Sequence, residues 1–202
     1  MFTLEQLGAL KGGRIDVGFG RLRFDDVQLT REVLVEERMI AALPEDYPLA
    51  DASVELTLEA LARETLIVYP SSPRPSYANQ QLSALRDHAL EPASVHEVRE
   101  LQTALGLVAA RVGVSLVPES VDGLRVHGVV YRHLPEPGPT SPIIMSRRLQ
   151  DEGQTTALFC SIARPVPWWR GRTSTLKKVP PRRDGTQARR GGTSSRDTPS
   201  EG

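Results

Sequence analysis

Leu105-Gly106-Leu107-Val108-Ala109-Ala110-Arg111-Val112-Gly113-Val114-Ser115-Leu116-Val117-Pro118 is the stretch on which the fold turns. Leucine, alanine and valine crowd residues 101–111, and no proline interrupts them, which predicts an apolar helix over that span. Val114 to Val117 then reads as a short buried strand that stops at Pro118. Upstream, Thr65 to Tyr69 (TLIVY) is β-branched, apolar and short, the composition of another buried strand. The prolines at 70, 73 and 75 make 70–76 a loop, since they admit neither a ladder nor a continuous helix. Tyr77 to Ala89 follows as a helix with Leu82 and Leu85 inside, and Ser94 to Val98 as a strand. Strand, helix, strand, helix, strand over 65–117 is a right-handed βαβαβ run. Ligands in such sheets sit beyond the carboxyl ends of the strands, where helices begin.

The N-terminal third can be read in the same way. Thr3-Leu4-Glu5-Gln6 has the form of a capping box, and Leu4, Leu7 and Leu10 space a short amphipathic helix closed by Gly12-Gly13. Ile15, Val17 and Phe19 alternate with Asp16 and Gly18 as a strand. Gly18 and Gly20 leave its backbone open to close approach by another group. Arg21 and Arg23 follow at strand spacing and are expected on one side, as the rim of an anion site. Residues 27–35 and 38–43 read as two extended segments, and 44–48 as a break. A short helix starts at 57 with Thr57 as its cap, strands occupy 128–134 and 143–146, and a last helix spans 151–163. The expected body is α/β with mainly parallel sheets.

Composition narrows the function. The net charge of zero hides an acidic body and a basic tail: residues 1–163 carry 15 Lys+Arg against 22 Asp+Glu (−7), and residues 164–202 carry 10 against 3 (+7). An acidic body does not hold nucleic acid by its general field. The tail, 164–202, has almost no large apolar residues after Trp168-Trp169 and is expected to be a disordered basic extension. No apolar run is long enough for a membrane span, and Met1-Phe2-Thr3-Leu4-Glu5 lacks the pattern of a signal peptide, so a cytoplasmic protein without membrane contact is expected. Cys160 is the single cysteine, which excludes an internal disulfide. His88, His96, His127 and His133 have no ligand spacing, Gly18-Phe19-Gly20 is not followed by the rest of a dinucleotide fingerprint, and neither a catalytic triad nor a carboxylate pair emerges. No metal, cofactor or catalysis is therefore expected, and Asp25-Asp26 reads as a turn.

These residues resemble the effector-binding domain of LysR-type transcriptional regulators. The likeness covers about 1–163 and rests on Glu5-Gln6-Leu7, on Leu10 through Gly20, on Pro48-Leu49, and on Leu105 through Pro118. Gly18 to Arg23 and Tyr69 to Ser76 resemble the branch responsive to muconate, chlorocatechol-derived chloromuconate or benzoate, which controls aromatic-ring degradation. The resemblance implies a periplasmic-binding-protein-like fold of two Rossmann-like lobes joined by two crossovers, with the effector between them. Mapped here, lobe I is 1–36 plus 141–163 and lobe II is 37–140. It further implies that the first lobe lacks its opening strand and helix at the N-terminus. The DNA-binding part of such regulators is expected to be missing from this chain. Homo-oligomer formation or pairing with related regulators is the implied assembly.

By the same resemblance, Thr3, Arg23, Pro75, Ser76, Tyr77 and Leu101 are effector contacts. Thr3 and Ser76 stand at helix N-termini, where free N–H groups and the dipole favour a carboxylate, although each is equally an ordinary cap. Tyr77 would lie along the ligand's carbon chain, and Leu101 would line the slot or simply pack. Arg21 with Glu37 would form a second, buried pocket for an aromatic acid, with Val35 where a responsive relative has a further arginine. The implied function is sensing of a small carboxylate such as muconate to control transcription. Two other readings stay open at this point: a truncated remnant that does not bind DNA, and a small carboxylate-processing enzyme with the arginines as substrate clamps.

Overall fold

The apolar runs at 65–68 and 115–118 lie side by side, and the rest of the chain is arranged around them. The computed structural model describes residues 3–150 and 153–164. Its elements run α1 (Thr3–Lys11), β1 (Val17–Gly20), β2 (Leu29–Pro44), α2 (Leu58–Ala62), β3 (Thr65–Val68), α3 (Tyr77–Arg86), β4 (Ser94–Glu97), α4 (Leu101–Ala109), β5 (Ser115–Pro118), β6 (Val129–His133), β7 (Thr140–Arg148) and α5 (Gln154–Ala163), with 3-10 turns at Pro48–Ala50 and Glu119–Gly123. The expectation of a basic tail from 164 onward falls almost wholly outside the described residues.

The parallel pairing expected across the body is confined to one place. β3 pairs with β4 in parallel from Thr65↔Ser94 to Val68↔Glu97, and a parallel bridge joins Leu66 to Val114 at the head of β5. Among the described residues every other strand pairing is antiparallel: β1 with β7, and β2 with β5, β6 and β7. The reason is that β2 and β7 carry the chain out of one lobe and back again, so they meet head to tail.

β2 is the second departure. The two extended segments expected at 27–35 and 38–43 are one strand from Leu29 to Pro44. Leu29 through Arg38 pair with β7, with a bulge between Val33 and Val35, while Met39 through Pro44 pair with β5 and β6. One strand thus serves two sheets. Glu36-Glu37, which fell between the two expected segments, lies at the passage from one sheet to the other.

Two cores follow from this division. The larger contains Ile40, Leu43, Leu61, Leu66, Ile67, Leu85, Leu105 and Leu116, all fully buried between α2, α3, α4 and the β2–β3–β5 strands. The smaller lies under α1, where Leu7 and Leu10 meet Leu29, with Leu4, Ile15 and Phe24 at its margin. Helices α3 and α4 stop three and two residues short of the expected ends. Each is closed by a backbone bond spanning five residues, Leu90 N–H to Leu85 O (3.1 Å) and Val112 N–H to Leu107 O (3.0 Å). The left-handed residue of each closure is Ala89 (φ 57°) or Arg111 (φ 62°) in place of the usual glycine, so the ordinary stop signal is absent from the sequence.

Candidate functional site

Three helices begin around one cleft between the two lobes. α1 starts at Thr3, α3 at Tyr77 behind its N-cap Ser76, and α4 at Leu101 behind Glu100. Thr3, Pro75, Ser76, Tyr77 and Leu101, five of the six residues expected to meet an effector, line this cavity of about 380 Å³. The first turns of helices carry N–H groups without helical partners and the positive end of the dipole. Three such ends on one cavity make it a place for negative charge.

Gly18 and Gly20 explain how α1 reaches the cleft. A Cβ on Gly20 would stand 2.8 Å from Thr3 Cγ2 and 2.9 Å from Thr3 Oγ1, and one on Gly18 would stand 2.7 Å from Gln6 Oε1. The group that exploits the open backbone of β1 is therefore α1 itself, laid across the strand with Thr3 at the cleft.

Arg21 and Glu37 are paired as expected. The Arg21 guanidinium donates to Glu37 Oε2 at 2.5 Å and to Ser141 Oγ at 3.3 Å. Glu37 is 6% exposed and accepts a second bond from the Ser120 backbone N–H at 2.6 Å, so the buried carboxylate is held on both oxygens. Ser141 Oγ donates to Gln80 Oε1 at 2.6 Å, and Gln80 Nε2 donates back to the Arg21 carbonyl. This network runs from the loop after β1 to the crossover strands and α3.

Arg23 is a correction. It was expected on the same side as Arg21, but β1 ends at Gly20 and the two-residue alternation of a strand does not continue past it. The Arg23 side chain is 56% exposed and pairs with Glu36. It borders a neighbouring cavity of about 550 Å³, with Leu22, Phe24, Gln80 and Thr140, and does not line the cleft. Ser76 also differs in detail. Its hydroxyl donates to the Pro70 carbonyl at 2.7 Å and its N–H donates to Asn79 Oδ1 at 2.9 Å, so what Ser76 itself retains for a ligand is acceptor capacity at its hydroxyl oxygen.

Several residues at the site were not singled out from the sequence. Arg99 lines the cleft, is exposed, and has no ion-pair partner among the described residues. Its signal was position: it precedes α4 just beyond the carboxyl end of β4, where ligands of parallel sheets bind. Tyr69, also in the cleft wall, packs on Tyr77 with ring centroids 5.4 Å apart. Burial pushes both phenols up from their ordinary pKa, and the charges of Arg21 and Glu37 act on both. Arg31 clamps the loop that carries Arg21, donating to Phe24 O (2.6 Å), Leu22 O (2.7 Å) and Ser146 Oγ (3.1 Å) and lying 4.0 Å over the Phe24 ring. Gln81, fully buried one turn into α3, bonds the Tyr69 N–H (3.0 Å) and the Leu116 carbonyl (2.8 Å). Its signal was the helix period: Tyr77 and Ala78 one turn before and Ala84 and Leu85 one turn after put position 81 on the buried stripe of α3.

A cleft between two α/β lobes, lined by three helix starts and by Arg21, Arg99 and Glu100, is the architecture of the periplasmic-binding-protein type. The chain belongs to the LysR substrate binding domain family, which matches residues 2–164. It is 44% identical over 166 residues to the probable cat1 operon transcriptional activator of Acinetobacter lwoffii, covering 82% of this chain and 54% of that protein. It is 48% identical over 151 residues to the HTH-type transcriptional regulator CatR of Pseudomonas putida, covering 75% of this chain and 52% of that protein. The chain thus spans about half the length of the curated relatives it matches. Among solved structures, the BenM effector binding domain with its effector benzoate superimposes with a TM-score of 0.78 at 37% identity, covering 87% of this chain and 79% of that one. These relatives are transcriptional regulators, and among the described residues no helix is long and apolar enough to cross a membrane.

Proposed function

We propose that this domain is the sensor of a transcriptional regulator and that it takes a small carboxylate, benzoate or a ring-cleavage diacid such as muconate, in the cleft between its lobes. The observation that carries this is the meeting of three helix N-termini with Arg21 and Arg99 on one cavity of about 380 Å³. The volume suits a compact organic acid. Benzoate as the effector of a BenM domain with the same fold supports the choice of ligand class. In this reading Thr3 and the free N–H groups of the first turn of α3, which follows Ser76, receive one carboxylate, and Pro75, Tyr77 and Leu101 wall the carbon skeleton. Arg23 stands outside, at the mouth of the neighbouring cavity. Arg21 and Glu37 form a second, charge-switching pocket, in which a ligand carboxylate competes with Glu37 for the guanidinium. The lobes divide at 36/37 and 140/141.

Binding biases the lobe arrangement by differential affinity, and the Arg21–Ser141–Gln80 network is the element that would feel it. The role is binding and not catalysis. The protein acts in the cytoplasm, as a homo-oligomer or beside related regulators, with DNA contact left to a helix-turn-helix unit outside the described residues. Calorimetric titration with benzoate and with cis,cis-muconate tests this. Saturable binding by the folded protein is expected, weakened roughly 10- to 100-fold in Arg21→Lys, which keeps a charge opposite Glu37 but loses the fork. A folded wild-type protein that binds neither acid up to about 1 mM would sink the reading.

A further inference from the structure

The arginines around the cleft differ in how far they are already engaged. Arg21 is held by Glu37 and by the Ser141 hydroxyl. Arg74, on the loop before α3, pairs with Glu97 at 2.7 Å and donates to the Ser71 carbonyl at 3.2 Å. Arg99 lines the cavity, is exposed, and makes no side-chain hydrogen bond or ion pair among the described residues. It follows Val98, whose N–H donates to the Val68 carbonyl at 3.0 Å. Arg99 therefore stands where the chain leaves the parallel β3–β4 pair and turns into α4.

An exposed arginine is ordinarily a solvated charge. The other groups of the cavity give this one a use. Its lining holds three charged residues, Arg21, Arg99 and Glu100. Glu100 is the N-cap of α4, and its carboxylate opposes the pull of that helix start on anions. A ligand carboxylate on the α4 side of the cleft therefore depends on Arg99. The start of α3 is different, because no acidic residue stands in its first turn. The cavity thus has two separate points for negative charge, the first turn of α3 and the Arg99 guanidinium, with Pro75, Tyr77 and Leu101 among the walls they share.

We propose that Arg99 binds the second carboxylate of a dicarboxylate effector, and that the cleft thereby prefers a short diacid of the muconate type to a monoacid such as benzoate. This rests on the reading of the cleft as a carboxylate site. One carboxylate takes the first turn of α3, and the other takes Arg99, whose planar fork matches both oxygens. The carbon chain between them lies against Pro75, Tyr77 and Leu101. A monoacid fills the α3 end alone and leaves Arg99 in water.

Calorimetric titration of the full chain, Arg99→Gln and Arg86→Gln with cis,cis-muconate, its monomethyl ester and benzoate, at about 0.15 M salt, tests this. Arg86 controls for net charge: its side chain is 56% exposed and it closes α3 at the end away from the cleft. Wild type is expected to bind muconate more tightly than either monoacid. Arg99→Gln should bind muconate about fivefold or more weakly, hold both monoacids within about twofold, and keep the wild-type Tm. Arg86→Gln should stay within about twofold for all three acids. The assignment of Arg99 is overturned, and the cleft reading left intact, by any of three results. These are a wild type that binds a monoacid as tightly as muconate, an Arg99→Gln variant whose muconate affinity is unchanged or falls no more than its monoacid affinity, and an equal loss in Arg86→Gln. Failure of folded wild type to bind any of the acids overturns the cleft reading, and the role of Arg99 with it.

Discussion

Replacing Gln81 by leucine tests how the wall of the cleft is held. Gln81 is fully buried, and its side chain joins three elements: Oε1 accepts from the Tyr69 N–H at the end of β3, and Nε2 donates to the Leu116 carbonyl (2.8 Å) and Ser115 Oγ (3.2 Å) on β5. Leucine nearly matches the volume but satisfies neither backbone group. Ser115 keeps its own bond to the Ile67 carbonyl (2.8 Å), so two groups are orphaned, the Tyr69 N–H and the Leu116 carbonyl. At about 1–3 kcal/mol for each buried orphan, less about 1 kcal/mol for the added apolar surface, Gln81→Leu should destabilise by about 1–5 kcal/mol. Urea unfolding followed by circular dichroism measures it as a shift of the midpoint at constant slope.

Gln81→Glu sharpens the same test. A neutral carboxylic acid can still accept from Tyr69 N–H and donate to Leu116 O, whereas a carboxylate loses the donor and buries a charge. Burial raises the folded pKa of such a glutamate above its unfolded value near 4.3. Its contribution is then full below the unfolded pKa and is lost as pH rises through the folded one. Gln81→Glu should therefore approach wild-type stability near pH 4 and fall well below it at pH 8. A Gln81→Leu loss under about 1 kcal/mol, or a Gln81→Glu deficit that is independent of pH, would refute the view that this side chain ties α3 to the sheet.

Two further outcomes are expected. Gly20→Ala places a Cβ 2.8 Å from Thr3 Cγ2 and should push the start of α1 off β1, weakening carboxylate binding severalfold in a calorimetric titration while leaving the larger core, and most of the far-ultraviolet dichroism, intact. On the alkaline side, Tyr69 and Tyr77 have folded pKa values raised by burial. Because burial penalises the ionised phenols, they leave stability unaffected below the unfolded value near 10, and above it stability falls as pH rises, by at most about 1.4 kcal/mol per pH unit for each. Replacing both by phenylalanine should flatten that alkaline limb in pH-dependent urea unfolding.

Local order was legible where a residue's neighbours in sequence are also its neighbours in space. The apolar runs read at 65–69 and 114–117 are strands at Thr65–Val68 and Ser115–Pro118, Thr57 is a cap (accepting from Ala60 N–H at 3.2 Å), and the helix read at 101–111 is Leu101–Ala109. Gly18 and Gly20 announced a close approach, though not that α1 makes it. Helix ends were misjudged where Ala89 and Arg111 do the work of glycine. The resemblance to LysR regulators brought Thr3, Pro75, Ser76, Tyr77 and Leu101 to one cleft on paper, and the geometry gathers them there.

What the sequence determined by itself is therefore the identity of the elements, because the periods of apolar residues and the torsional limits of proline and glycine act within a few residues. Tertiary structure alone decided the rest. It made one strand of Leu29–Pro44 by seating the charged Glu37 between Arg21 and the Ser120 N–H, it turned Arg23 outward to Glu36, and it buried the Tyr69 and Tyr77 hydroxyls without partners among the described residues. A buried charge or hydroxyl is stabilised or stranded by groups that chain folding brings from as far as 120 positions away, as with the Ser141 hydroxyl and Arg21, and no local pattern encodes whether such a partner will be there.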